Sequence, residues 1–448
     1  MSENTLESLG YKQELSRTLE LRDLVIYGLI FIVPIAPFGI FGHVMSASGG
    51  SIVTAYIIGL VGMLFTAISY SQMAKEFPVA GSVYSYVSKG TNGFIGFVAG
   101  WIMLLDYILI PALLYVVGAL AIHDIFPSIS PIFLIIAFVI FNTYVNIRGI
   151  SFTALFNRGM LIAELIVLAI FLVVGLVAIS NNVNGAVFSM APVYDVDNFS
   201  LGLIISAVPI AVLSFLGFDG ISTLAEEAKG GGKAVSKAIF LVLFIIGGLF
   251  IAQTWIAALI QPNPEKFNNL DTAFYETARI AGGEWLGVLT AAMTAIAWGI
   301  ADSLVAQIAT ARILYSMGRD RLLPSALSRV HSRYKTPYIS TLLVSVISIV
   351  VAIAFMSHLA LLTSIVTIGA LTAFLILNIS TMYYFVIKKK SYNLFLHILS
   401  PVLGLAVVGY IWSGFESYTI IIGAVWAVIG LGIYYLAKMR GRQINMEI

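Results

Sequence analysis

Long apolar runs separated by short polar stretches set the pattern of this 448-residue chain. They fall near 24–46, 52–74, 93–122, 131–149, 158–179, 201–225, 238–260, 284–315, 339–356, 360–386, 396–413 and 419–437. A helix needs about 20 predominantly apolar residues to cross the hydrocarbon core of a bilayer. The pattern therefore predicts an all-α integral membrane protein with twelve transmembrane helices, numbered here as spans 1 to 12. The polar ends, residues 1–23 and 438–448, predict segments outside the bilayer. Assigning alternate connections to one side places 22 of the 24 Lys and Arg residues on the face that holds both termini, leaving Lys266 and Arg279 on the other. Short cytoplasmic loops carry the excess of basic residues, so both termini are expected in the cytoplasm. Gaining or losing one span would scramble this asymmetry.

Two spans are interrupted in a way that an anchor would not be. Span 6, within Leu201–Glu227, carries Pro209, then Ser214-Phe215-Leu216-Gly217-Phe218, then Asp219 before it leaves the hydrocarbon. Proline removes a backbone donor, glycine loosens the helix and a carboxylate at depth costs a few kcal/mol, so this reads as a broken helix around a polar cavity. Span 1 repeats the theme: Val33-Pro34-Ile35-Ala36 matches Val208-Pro209-Ile210-Ala211 at a comparable depth. Interrupted helices at corresponding places in two five-span halves, residues 24–179 and 201–386, predict a 5+5 inverted repeat with a binding site between the halves. An odd number of spans per half makes the halves inverted. Spans 11 and 12, residues 396–437, are then additions. After span 2, Ala74 to Tyr86 alternates aromatic with small polar residues, which predicts a short interfacial helix that gates the bundle from inside.

Composition narrows the chemistry. Apolar residues make up 60% of the chain and charged residues 10%, against about 25% charged in a soluble domain. A net charge of +2 is too small to argue for a nucleic-acid partner. There is no cysteine, and the five histidines show no ligand-type spacing, so neither a disulfide nor a metal site is expected. No Gly-rich loop ending in Lys-Ser/Thr argues for ATP hydrolysis, and no nucleophile–base pair lies in the spans. The sequence therefore predicts neither an enzyme nor a cofactor. The first twenty residues lack the apolar region of a cleaved signal peptide.

Four blocks carry a resemblance. They are Glu76-Phe77-Pro78 with Ala80-Gly81-Ser82 and Tyr84-Ser85-Tyr86; Gly93-Phe94-Ile95-Gly96-Phe97 with Gly100-Trp101 and Leu105-Asp106-Tyr107; Phe215 to Asp219 with Glu226-Glu227 and Lys237-Ala238-Ile239; and Arg312 to Asp320 with Leu323-Pro324, His331 and Thr336-Pro337. In order and spacing the chain resembles the amino acid-polyamine-organocation transporter family over essentially its whole length, and bacterial putrescine importers share its Leu-Asp-Tyr and Phe-Leu-Gly-Phe-Asp forms. The resemblance implies alternating access at the plasma membrane. One departure is Lys229-Gly230-Gly231-Gly232-Lys233, where relatives carry an Asn-Pro type turn.

A second departure bears on the substrate. Amino acid carriers of this family hold a carboxylate on free N–H groups at a Gly-rich break in span 1. Here that stretch is Pro34-Ile35-Ala36-Pro37-Phe38. Two prolines delete two donors, and the loss of glycine stiffens an anion-binding nest, although the prolines could equally serve only to kink the helix. The remaining inventory suits a cation: the carboxylates Asp106 and Asp219, with Tyr107, Phe215, Phe218, Trp298 and Trp101 as aromatic candidates. Ring faces attract an ammonium by roughly 0.5–2 kcal/mol each and suit the methylenes between two amines. Each has a bland alternative: Asp219 could bond to N–H groups of the broken helix, Asp106 could tie helices together, and the rings could pack.

Two acids are candidates for coupling transport to a proton. Glu164 in span 5 falls where several proton-coupled relatives carry a lysine in place of a sodium ion, and Asp302 follows Trp298 in span 8. A desolvated carboxyl can hold a proton near neutral pH. A structural carboxylate is the alternative for Glu164. The expected partners are thus a small cationic amine such as putrescine, a proton and the lipid bilayer. The competing expectations are an amino acid permease or amine/amino acid exchanger, and a channel or nutrient receptor on the same scaffold.

Overall fold

The computed structural model describes residues 19–439, apart from 80–81, 149–150, 196–198, 226–227, 320–322, 335 and 392. The chain ends with Lys12, Arg17, Arg440 and Arg442 lie outside the described residues, as do Ala80, Gly81, Glu226, Glu227, Asp320, Arg321 and Lys335. Among the described residues the fold is helical, with one isolated bridge, Leu19 to Ala228, as its only extended pairing.

Among the described residues eleven helices are long and apolar enough to cross a bilayer, and a bent pair, taken as one span, makes a twelfth. Span 1 joins Leu21–Ile32 to Ala36–Ala47 across a 47° bend. The others are Ile52–Glu76, Gly93–Ile125, Pro131–Arg148, Arg158–Ser180, Leu201–Leu224, Gly231–Ile260, Glu284–Tyr315, Tyr338–Phe355, Leu359–Lys388, Phe395–Trp412 and Ser417–Leu436. These match the apolar runs to within a few residues for most spans, because the run lengths are set by bilayer thickness.

Local chemistry explains the two interruptions. In span 1, Pro34 has no N–H to continue the first half, while Pro37 sits in the first turn of the second half, where a missing donor is harmless. Val33 between them holds φ +59°, a left-handed backbone that costs a β-branched residue of order 1–3 kcal/mol. In span 6 the α-helix stops at Leu213, and a 3₁₀ turn resumes over Phe218–Leu224. Gly217 joins them at φ +110°, and a Cβ there would lie 2.6 Å from the Phe31 ring and 2.9 Å from the Phe31 carbonyl oxygen. Only glycine allows the two breaks to lie back to back.

Two shorter helices flank the breaks. Ser82–Gly90, after span 2, packs against the bundle: Ser82, Val83, Ser85, Tyr86 and Val87 are buried, and Tyr86 meets Tyr70 of span 2 edge to face. Ala273–Gly282, between spans 7 and 8, packs Phe274 flat on Phe38 of span 1 with ring centroids 3.8 Å apart. Arg279 on this helix pairs with Asp124 at the end of span 3, which holds the guanidinium still further toward its charged form. His43 of span 1 meets Asp271 at 2.6 Å on the same side. On the opposite side Lys229 bonds Glu20 at 2.9 Å and holds that carboxyl below its ordinary range, tying the start of span 1 to the loop after span 6. Gly232, in the first turn of span 7, has a steric reason: a Cβ there would come within 2.0 Å of the Ala74 carbonyl oxygen at the end of span 2.

Candidate functional site

The breaks of spans 1 and 6 face spans 3 and 8 across a cavity of about 610 Å³ of atom-free space, its mouth included. Its polar lining is Asp106 and Tyr107 from span 3, Ser214 and Asp219 from span 6, and Trp298 and Asp302 from span 8. Phe31, Val33 and Ala36 of span 1 and Leu113, Leu114 and Leu213 supply apolar walls. Three carboxylates thus converge, and no Lys, Arg or His is among the described residues that line the cavity.

Each polar group is positioned by an identifiable defect in a helix. Pro111 lies inside span 3 and cannot donate to the carbonyl of Tyr107 four residues earlier. The Thr310 hydroxyl of span 8 donates to that oxygen instead, at 2.5 Å. This fastens the Asp106–Tyr107 pair to span 8. The Tyr107 hydroxyl then donates to Asp219 Oδ2 at 3.2 Å, and Ser82 Oγ donates to the same oxygen at 3.3 Å. Backbone N–H groups of Gly217 and Asp219 also reach this carboxylate. Trp298 and Asp302 lie on a π-helical turn, Ala297–Asp302. Such turns widen a helix by one residue and recur at functional sites.

Several polar atoms at the cavity are poised for a partner. Asp106 Oδ1 and Trp298 Nε1 are buried without a hydrogen bond among the described residues. Glu164 is buried beside the cavity without lining it, its Oε2 is likewise unpartnered, and it lies within electrostatic range of Asp302. A buried polar atom left unpaired is costly, so these groups favour a polar ligand or a proton between them.

The backbone of the span 1 break is occupied. The N–H groups of Val33, Ala36 and Phe38 bond to the carbonyls of Leu29, Val33 and Ile35, and Pro34 and Pro37 have none to offer. At most the Ile35 N–H is left over in residues 33–38. The Pro34 carbonyl accepts from Gln253 Nε2 at 3.0 Å. The Ile30 carbonyl has lost the donor that residue 34 would supply. The break presents oxygens more readily than hydrogens.

Of the residues singled out in the sequence, Ala36, Asp106, Tyr107, Asp219, Trp298 and Asp302 meet at the cavity. Pro34, Ile35, Pro37 and Phe38 form the break itself and face the core, with Phe38 also against Phe171. Phe215 packs on Tyr56 and Phe250, and Phe218 on Tyr70 and Phe374, so these two rings brace span 6 rather than line the cavity. Trp101 stacks on Trp426 of span 12 instead. Ser82 and Thr310 were missed. Ser82 stood inside a quoted motif, but nothing in its spacing reveals that its hydroxyl reaches span 6.

Twelve spans around a paired break with a charged cavity define a polytopic membrane carrier. The family model described as amino acid permease matches residues 24–439, and the chain belongs to that family within the amino acid-polyamine-organocation superfamily. It is 32% identical over 443 residues to a low-affinity putrescine importer of Escherichia coli K12, covering 98% of this chain and 96% of that protein. It is 26% identical over 461 residues to a branched-chain amino acid permease of Bacillus subtilis, covering 97% and 96%. A methylthioribose transporter of the same organism is 24% identical over 475 residues, covering 98% and 97%. The chain is a transport protein and not an enzyme.

Proposed function

We propose that this permease imports putrescine or a similar polyamine across the plasma membrane by alternating access, driven by protons, with both termini in the cytoplasm. The observation that carries the reading is the cavity's acidic lining: Asp106, Asp219 and Asp302 line it and, among the described residues, no basic side chain does. Carboxylates at membrane depth persist when they pair with a cation or exchange a proton. A diamine supplies two ammonium groups and an apolar chain for the Leu113, Leu114 and Leu213 wall. Asp219 and Asp106 hold one ammonium with Tyr107, Trp298 faces the chain, and residues 34–38 shape the break while withholding N–H groups from an anion. Glu164 and Asp302 carry the coupling proton. The interruption of spans 1 and 6, the first span of each half, supports an inverted repeat of spans 1–5 and 6–10, whose halves rock about the cavity.

A second reading, an amino acid permease or amine/amino acid exchanger, is favoured by the branched-chain permease among the relatives. Reconstitution decides. Proteoliposomes preloaded with unlabelled putrescine should show saturable counterflow of labelled putrescine, which a channel or receptor would not give. Counterflow with leucine but not with putrescine would move the assignment to the second reading.

A further inference from the structure

Away from the cavity, a ladder of buried polar side chains runs down the contact between spans 4, 8 and 9. It begins beside Asp302, where Ser303 Oγ accepts from Asn142 Nδ2 at 2.7 Å. One turn further along both helices, Asn146 Nδ2 donates to Gln307 Oε1 at 2.5 Å. Gln307 Nε2 donates in turn to Ser345 Oγ at 2.9 Å and Thr143 Oγ1 at 3.2 Å, and these two hydroxyls lie 2.6 Å apart. The ladder ends where Thr336 Oγ1 donates to the Ile147 carbonyl at 2.8 Å, next to Arg148 at the end of span 4. By the distribution of Lys and Arg this is the cytoplasmic face.

The ladder is under-satisfied. Asn142 Oδ1, Asn146 Oδ1 and the nearby Ser348 Oγ are buried without a hydrogen-bond partner among the described residues. Turning the Asn142 amide over merely exchanges which of its two heteroatoms is unmatched. Adhesion alone accounts for Asn and Gln between membrane helices, but a seam built only to adhere would not strand three polar atoms in low dielectric. Buried polar atoms of this kind are the usual partners of internal water.

We infer that the seam between spans 4, 8 and 9 is a hydrated path through which a proton held at Asp302 leaves for the cytoplasm, separate from the route of the substrate. The inference rests on the proton-coupled reading above. Water and the hydroxyls of Ser303, Thr143 and Ser345 relay the proton, while Asn142, Asn146 and Gln307 fix the waters. No covalent bond outside these O–H groups changes.

Asn146→Leu and Gln307→Leu fill the seam with apolar volume, and Asn146→Ser and Gln307→Ser keep it polar. Each is reconstituted and read twice, as labelled putrescine counterflow and as putrescine-dependent acidification of a dye-loaded lumen. The Leu variants are expected to keep counterflow and lose acidification, and the Ser variants to regain it. Acidification at the wild-type level in the Leu variants overturns the route alone. So does a parallel fall of both readouts that Ser does not reverse, which marks a structural seam. Absence of acidification in the wild type removes the proton-coupled reading and the route together.

Discussion

The Tyr107 hydroxyl donates to Asp219 at 3.2 Å, joining an unbroken span to the break of another at the floor of the cavity. The bond is a hinge for the proposed site. It orients the carboxylate that, in the proposed site, pairs with a bound ammonium. A hydrogen bond to a charged group is worth about 1.5–3 kcal/mol, or about 10- to 150-fold in binding. Tyr107→Phe is therefore expected to raise the KM for putrescine within that range, and Asp219→Asn to abolish uptake at normal membrane abundance. Wild-type uptake by Asp219→Asn would remove this carboxylate from the site.

The contact between Gly217 and Phe31 predicts a conformational lesion. Gly217→Ala places a methyl 2.6 Å from the ring in a backbone region that L-residues avoid. The backbone strain alone is of order 1–3 kcal/mol. The variant should lower the melting temperature of the purified protein by several degrees and slow counterflow. Phe31→Ala in the same chain should recover part of the loss, because it removes the clash but not the backbone strain.

For Glu164 the test is a pH profile. Glu164→Gln fixes a neutral side chain beside Asp302, so uptake should lose its dependence on external pH and accumulation should cease while counterflow continues. Asp302→Asn should do the same and also weaken binding, because Asp302 lines the cavity and Glu164 does not. Unchanged pH dependence with retained accumulation in Glu164→Gln would exclude it from coupling.

Trp101 and Trp426 stack 4.7 Å apart, and each indole N–H donates to the other's carbonyl at 2.8 Å. This reciprocal pair fastens span 12 to span 3. Trp101→Phe removes one of these bonds and should cost about 0.5–1.5 kcal/mol of stability, the net worth of one hydrogen bond, since the Trp426 carbonyl keeps its place in the helix ladder. The KM for putrescine should stay at the wild-type value. A raised KM without a stability change would return Trp101 to the list of substrate contacts.

Much of this was legible because bilayer thickness dictates run length. Spans 2 and 6 end within two residues of their apolar runs, and Pro34 and Gly217 mark the breaks through their own backbone chemistry, whereas Pro209 lies inside the continuous helix Leu201–Leu213 and the break falls after it. The acids Asp106, Asp219 and Asp302 were legible as costs that only a cavity makes tolerable. The rings were harder. Phe38, Phe215 and Phe218 stand in or beside interrupted segments, where helical periodicity no longer tells which way a side chain points, and all three turned to the core. The helix Ser82–Gly90 alternates polar and aromatic residues, and that pattern does not reveal the tertiary bond from Ser82 to Asp219. The helix Ala273–Gly282 gave no apolar run at all, and its place over span 1 follows from one stacked pair, Phe38 and Phe274.

Displacement of labelled putrescine from the purified wild-type protein addresses the cation site most directly. Unlabelled diamines should displace the label completely, while leucine and other zwitterionic amino acids leave it bound, since residues 33–38 have at most one N–H free for a carboxylate. Displacement by leucine at concentrations as low as those of putrescine would show that an anion is welcome at the break, and would contradict the account.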